Sequence, residues 1–154
     1  MIANIILLVT LLTYSIIVSQ SFMYILALKD VQLKLDPNAY IQFRKLINTS
    51  MVSRFTYAVY TALLFTLALV ILTIKNPDSL QFITAVIAFA ALVADTIVTV
   101  KGNLPVNVII NTWAHDNYPA NWATYRTKWL QFFQYRQIAN ITGFVALLIG
   151  VVFG

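Results

Sequence analysis

Three features of the chain carry chemistry by residue type and spacing. Asp95 stands in residues 80–100, a stretch otherwise almost free of charge. Trp122, Arg126, Trp129, Phe133, Arg136 and Asn140 recur three or four residues apart, and His115 is followed directly by Asp116. A carboxylate in an apolar segment is a candidate general base; the bland alternative is a buried ion pair that fixes helix register. Arginines alternating with aromatic rings suit a flat, electron-rich or anionic ligand, through cation–π contacts and charge-assisted hydrogen bonds. The same residues can instead form an interfacial belt with snorkelling arginines. His115 with Asp116 has the composition of a base and its orienting carboxylate, although neighbours on a loop rarely point at one another.

Other chemistries lack their residues. With no cysteine there is no disulfide, thiol relay, iron–sulfur cluster or thiolate zinc site, and one histidine cannot ligate a haem from both faces. No Ser-His-Asp order, phosphate loop, metal-ligand cluster or dinucleotide fingerprint is present, so no cofactor is expected.

The elements that must position these groups are membrane spans. The chain has 154 residues, 60% hydrophobic and only 10% charged, with a mean hydropathy of +0.81, which excludes disorder and an ordinary soluble fold. Four apolar stretches, about 2–28, 52–74, 80–101 and 133–153, are long enough for roughly 30 Å of hydrocarbon. They predict one domain, an all-α integral membrane four-helix bundle. The first stretch has no basic leader region and no small-x-small cleavage site, so it is expected to remain in the mature protein. Nine of the ten Lys and Arg flank the two long connections and only Lys75 flanks the short one. The positive-inside bias therefore predicts cytoplasmic long loops and external termini, in a bacterial inner membrane. The net charge of +5 is explained by this topology, and no nucleic-acid partner is expected.

Local signals set the boundaries. Asp36-Pro37 is a cap with proline at the first helical position, and the next glycine or proline is Pro77. A helix over 37–75 would be about 57 Å long, nearly twice the membrane core. Asn76–Ser79 starts the third helix, Lys101-Gly102 is expected to end it, and Asn121 is expected to cap a fourth running to about 153. Residues 105–113 predict a short amphipathic helix. Together the extensions and this helix would cap the cytoplasmic end.

At 100° per residue, Thr84, Ala88, Ala91, Asp95 and Thr99 share a face, as do Trp122, Arg126, Trp129, Phe133, Arg136 and Asn140. Ser50, Arg54, Tyr57 and Thr61 form a comparable stripe on the second helix. Arg54 and Arg136 are the expected counter-charges of Asp95.

The run Asn103-Leu104-Pro105-Val106-Asn107, then Trp113, Trp122, Arg126-x-x-Trp129 and Arg136, resembles the C-terminal signature of a membrane domain-of-unknown-function family that includes the fungal anthrone oxygenases. Pro37 to Asn48 is more loosely similar to that family's Pro-led first-loop helix. The resemblance implies a four-helix membrane bundle and, from characterised relatives, cofactor-independent insertion of oxygen into an anthrone. It implies that Asn103, Asn107, Trp129 and Arg136 line the site. Position 133 is Phe where the family pattern often has Asn or His, which removes one candidate proton acceptor.

Two functions are expected. In the first, an oxygenase or oxidoreductase acts on a flat, phenolic or quinone-like lipophilic molecule: Asp95 or His115 takes a ring proton, Arg136 stabilises the enolate, and Arg54, Arg126, Trp129, Asn103 and Asn107 hold the substrate. In the second, a non-enzymatic scaffold uses its polar interior for helix association, lipid binding or a partner subunit, with Asn103 and Asn107 capping the short helix. Both have the lipid bilayer as partner and leave a homo-oligomer open. A transporter is disfavoured by four spans with no internal repeat.

Overall fold

The computed structural model describes residues 2–154. The chain is an all-α four-helix bundle, and among the described residues the only strand-like pairing is one isolated bridge, Ala114 to Asn117. Four helical rods are long and apolar enough to cross a membrane. The first comprises α1 (Ile2–Met23), a π-helical turn (Tyr24–Leu28) and α2 (Lys29–Lys34); the second is α3 (Pro37–Thr73). The third comprises α4 (Leu80–Val98), a second π-helical turn (Thr99–Asn103) and α5 (Leu104–Asn111), and the fourth is α6 (Trp122–Phe153).

Capping chemistry explains the starts. Asp36 Oδ1 accepts from Ala39 N at 3.0 Å, with Pro37 at the first position of α3. Ser79 Oγ accepts from Phe82 N at 3.2 Å at the head of α4. Asn121 makes no side-chain cap bond, contrary to expectation; the first turn of α6 is instead held by Trp122 N donating to Pro119 O and Thr124 N to Asn121 O.

Gly102 does not end the third helix. The backbone passes through it in the π turn and continues into α5. A Cβ at 102 would run into the Phe132 ring, so the missing side chain serves a close approach to α6 rather than a helix stop.

In section the rods form a ring in which α1 neighbours α3 and α6, and α4 also neighbours α3 and α6. The α4–α6 contact is the most extensive, because small residues let the backbones close up. A Cβ at Gly143 would strike the Tyr14 hydroxyl, and one at Gly150 would strike Thr84 Oγ1. Tyr14 donates to Ala88 O at 3.3 Å, joining α1 to α4. The apolar core here is Tyr14, Ile17, Ala62, Leu69, Ala85, Ala88, Leu92 and Leu147.

At the opposite end, where the two long connections lie, a second core is built of rings: Tyr24, Tyr40, Trp113, Trp129 and Phe133, with Ile41, Val106 and Ile110. The 37 residues of α3 rise about 55 Å, more than roughly 30 Å of hydrocarbon requires, and its first turns form one wall of this aromatic cap. Lys45 Nζ donates to Trp113 O, tying the cap's α3 wall to the end of α5.

Candidate functional site

Both expected stripes on the third and fourth rods face inward. Thr84, Ala88 and Asp95 are buried on α4, and Trp129, Phe133, Arg136 and Asn140 are buried on α6. Asp95 is 1% exposed. Its Oδ1 accepts from Arg136 Nε at 2.7 Å and from Asn140 Nδ2 at 3.1 Å. Both bonds fall on one oxygen, and among the described residues Oδ2 has no hydrogen-bond partner. An ionised carboxylate at this depth is costly unless paired, and Arg136 provides the pair.

Arg54 is not a counter-charge of Asp95. It is exposed, and Ser50 and Tyr57 of the same stripe are exposed with it. The α3 face that turns inward instead carries Arg44 and Asn48, one turn apart. Arg44 was missed because it could be assigned to topology alone, although the spacing 44, 48, 51, 55, 59 was available as a signal. Its guanidinium lies over the Trp129 ring, 3.7 Å from the centroid. One terminal nitrogen donates to Tyr24 Oη at 3.2 Å and the other to Asn107 Oδ1 at 2.9 Å. Asn107 Nδ2 in turn donates to Asn48 Oδ1 at 3.3 Å.

The π turns deliver two of these side chains. The first buries Tyr24 and the second buries Asn103, in line with the frequency of π bulges at functional sites. Asn103 Nδ2 donates to Trp129 O at 2.9 Å. Asn103 makes no side-chain cap bond, and Asn107 lies within α5, so neither caps the short helix. Phe133 stacks on Trp129 with ring centroids 5.1 Å apart and Tyr24 packs on Phe133 at 4.2 Å. Where a proton acceptor was expected to be missing, the chain has a ring wall.

Beside the Trp129 ring lies a cavity of about 240 Å³. Arg44, Asp95, Asn103, Asn107, Trp129 and Arg136 form its polar inner side. Ile47, Val52, Phe55 and Val59 of α3 face Val100 and Leu104 across its mouth. Val52 and Val100 are 48% and 55% exposed, which opens the mouth sideways, on the surface an apolar environment would cover. Among the described residues eight buried side-chain polar atoms have no partner, and three of them belong to residues of the inner side: Arg44 Nε, Asn103 Oδ1 and Trp129 Nε1. Unpaired buried polar atoms are uncommon and call for a reason.

His115 and Arg126 do not border this cavity. His115 does point at Asp116, Nδ1 to Oδ2 at 2.8 Å, but the two side chains are 80% and 72% exposed. Asp116 has φ of 56°. Asn38 holds that left-handed residue, accepting from its N at 3.0 Å and donating to Oδ1 at 2.7 Å. The Asn38 hydrogen bond, with His115 beside it, keeps the Asp116 carboxyl below its ordinary range. The pair is a loop clasp. Arg126 is a clasp as well: one terminal nitrogen donates to Gln32 O at 3.0 Å and Leu35 O at 3.1 Å, closing the end of α2, while its guanidinium lies over Trp122 at 4.6 Å.

A second groove, about 670 Å³, runs between the first rod and α6, past Tyr24, Lys29, Gln131, Gln134 and Ile138. Tyr24 and Phe133 form its wall toward Trp129. Among the described residues no cluster of His, Cys, Asp or Glu could hold a metal ion. Compared with models of known families, with curated proteins and with solved structures, the chain matches none.

Proposed function

We propose that the chain binds a flat, lipid-soluble phenolic or quinone-like molecule in the cavity between α3, α4 and α6 and oxidises it with dioxygen. The observation that carries this reading is a buried carboxylate with one free oxygen, set with two arginines and the Trp129 ring behind an apolar lateral mouth. A planar substrate would slide between Phe55 and Val100 and present its oxygen-bearing edge to the arginines. The likeness of 103–136 to the anthrone oxygenase signature suggests the reaction; the cavity supplies groups suited to it.

In that reaction a ring methylene conjugated with a ketone through the fused aromatic rings loses a proton to Asp95 Oδ2, and its electron pair moves through them onto the ketone oxygen as an enolate. Arginine N–H groups stabilise that charge in a site shielded from water. Dioxygen adds to the carbanion carbon, Asp95 returns its proton to the resulting peroxide anion, and the hydroperoxide loses water to leave a second carbonyl. The sum is CH₂ plus O₂ giving C=O plus H₂O, with dioxygen as oxidant. Asp95 takes the base role alone, since His115 stands outside the cavity.

Purified protein given an anthrone should consume oxygen. Asp95→Asn keeps the side-chain shape and should slow uptake by about a hundredfold or more. Equal rates in wild type and variant would end the assignment.

The ion pair itself favours a second reading. Arg136 and Asn140 grip a single oxygen of Asp95 and lock α4 to α6, as a non-enzymatic scaffold with a lipid-filled cavity would require. There, Asp95→Asn would lower stability with no change in any ligand. Under both readings we place the end bearing the long connections in the cytoplasm of a bacterial inner membrane, because nine of ten basic residues lie toward it.

A further inference from the structure

The charges around the cavity do not balance. Arg44 and Arg136 are 3% and 7% exposed, and Asp95 is the only buried acid; Asp30, Asp36, Asp78 and Asp116 are all exposed. Asp95 belongs to Arg136 through the Nε–Oδ1 bond. Arg44 has neutral oxygens only, from Tyr24 and Asn107, and its Nε has no partner. Two buried cations face one buried anion, and the surplus charge stands on a guanidinium that borders an open cavity. Buried charges in proteins are paired or bound to an oppositely charged ligand. The Trp129 face beneath Arg44 offsets part of this charge, and each terminal nitrogen gives one N–H to a neutral oxygen, but among the described residues no negative charge meets the guanidinium.

We infer that the cavity is a site for a lipophilic organic monoanion, whose oxyanion supplies the negative charge that Arg44 lacks. The inference deepens the reading above and rests on it only for the flat shape of the ligand. Asn107 and Asn103 line the same cavity beside Arg44 and give it a polar floor. The apolar mouth of Ile47, Phe55 and Val59 requires a hydrophobic body behind the charge. A phenolate or enolate on a ring system has this form. A small inorganic anion has the charge without the body.

The test uses 7-hydroxycoumarin, whose phenol ionises near neutral pH, and 7-methoxycoumarin, which has the same shape and cannot ionise. Both are titrated against the full chain in detergent or nanodiscs by ligand fluorescence. Affinity for the hydroxy compound should rise about tenfold per pH unit up to its own pKa and then level, while the methoxy compound stays flat. Arg44→Gln should weaken binding of the ionised probe about ten- to a hundredfold and leave methoxy binding in place, which also shows that the variant is folded. Arg44→Lys should restore part of the loss if Arg44→Gln fails to fold or bind at all. Equal affinity for the two coumarins at high pH would overturn the inference, and so would displacement by inorganic phosphate at the same concentration as 7-hydroxycoumarin. Charge-selective binding with no oxygen uptake would keep this site and remove the oxidation; uptake with no charge selectivity would do the reverse.

Discussion

The two halves of the bundle are built on opposite plans. Around Tyr14, Ala88, Leu92 and Gly143 the helices touch almost backbone to backbone, and the one long polar side chain, Tyr14, reaches a carbonyl on the neighbouring helix. Around Arg44, Trp129 and Asn103 the helices are held apart by rings and guanidinium groups, and six of the eight buried side-chain polar atoms without partners among the described residues lie in that half. Lipid offers no hydrophobic drive for helix association, so the tight half must hold the fold by close packing. The open half contributes less to that and is arranged around empty space. Stability and ligand chemistry have been given to different ends of the same four rods.

Removing one member of the ion pair between the halves should have the largest effect. Arg136→Met strands Asp95 in the bundle and should cost about 3–5 kcal/mol, whereas Arg136→Met with Asp95→Leu should recover most of it. Denaturation of both variants in mixed detergent checks this, and equal loss in the two would show that the pair is not the joint. Next, filling the tight half with Gly143→Val should cost about 1–3 kcal/mol through collision with Tyr14 and Ala91. A Val substitution at exposed Tyr60, on the mouth side, should change stability by less than about 0.5 kcal/mol.

In the open half, Trp129→Phe removes an unpaired N–H while keeping the ring beneath Arg44. Its melting temperature should hold or rise slightly, and 7-hydroxycoumarin affinity should stay within about twofold, because the indole N–H is closed off from the cavity. A falling melting temperature would mean that the indole N–H has a partner in the folded chain.

The smallest effect belongs to the exposed clasp. The Asp116 carboxyl is held below its ordinary value of 3.8, chiefly by Asn38 and then by His115. A depressed carboxylate lends its contact above that ordinary value and loses it as pH falls through the lower, folded one. Hydrogen exchange in 114–120 should therefore quicken only in strong acid, and Asn38→Ala should move the change to higher pH. No change in onset would separate Asn38 from the titration.

The sequence-based reading reached some of this and not the rest, for physical reasons. Apolar length, the Asp36 cap, the start of the third helix at 76–79 and the inward face of α6 are local or periodic properties, and each is found where it was expected. Arg54 failed because a polar stripe near a membrane surface suits headgroups as well as an interior. Arg44 lies about 80° around α3 from Arg54 and is the one that turns in. Gly102 read as a stop because glycine after lysine is a common helix ending, and only the Phe132 ring across the gap reveals its other use. The free oxygen of Asp95 and the unbalanced charge on Arg44 depend on which groups meet across helices. Neither is a property of one segment.

The π turn at 99–103 can also be weighed as a length. An i→i+5 turn takes up one residue more than a regular helix needs, so the third rod holds a surplus unit that shifts no helix beyond it. Deleting Val100, which faces outward, would let the rod close into an unbroken α-helix and leave α5 seated where it is. The casualty would be the inward set of Asn103: a shorter protein, still assembled, with one hydrogen-bonding group withdrawn from its hollow.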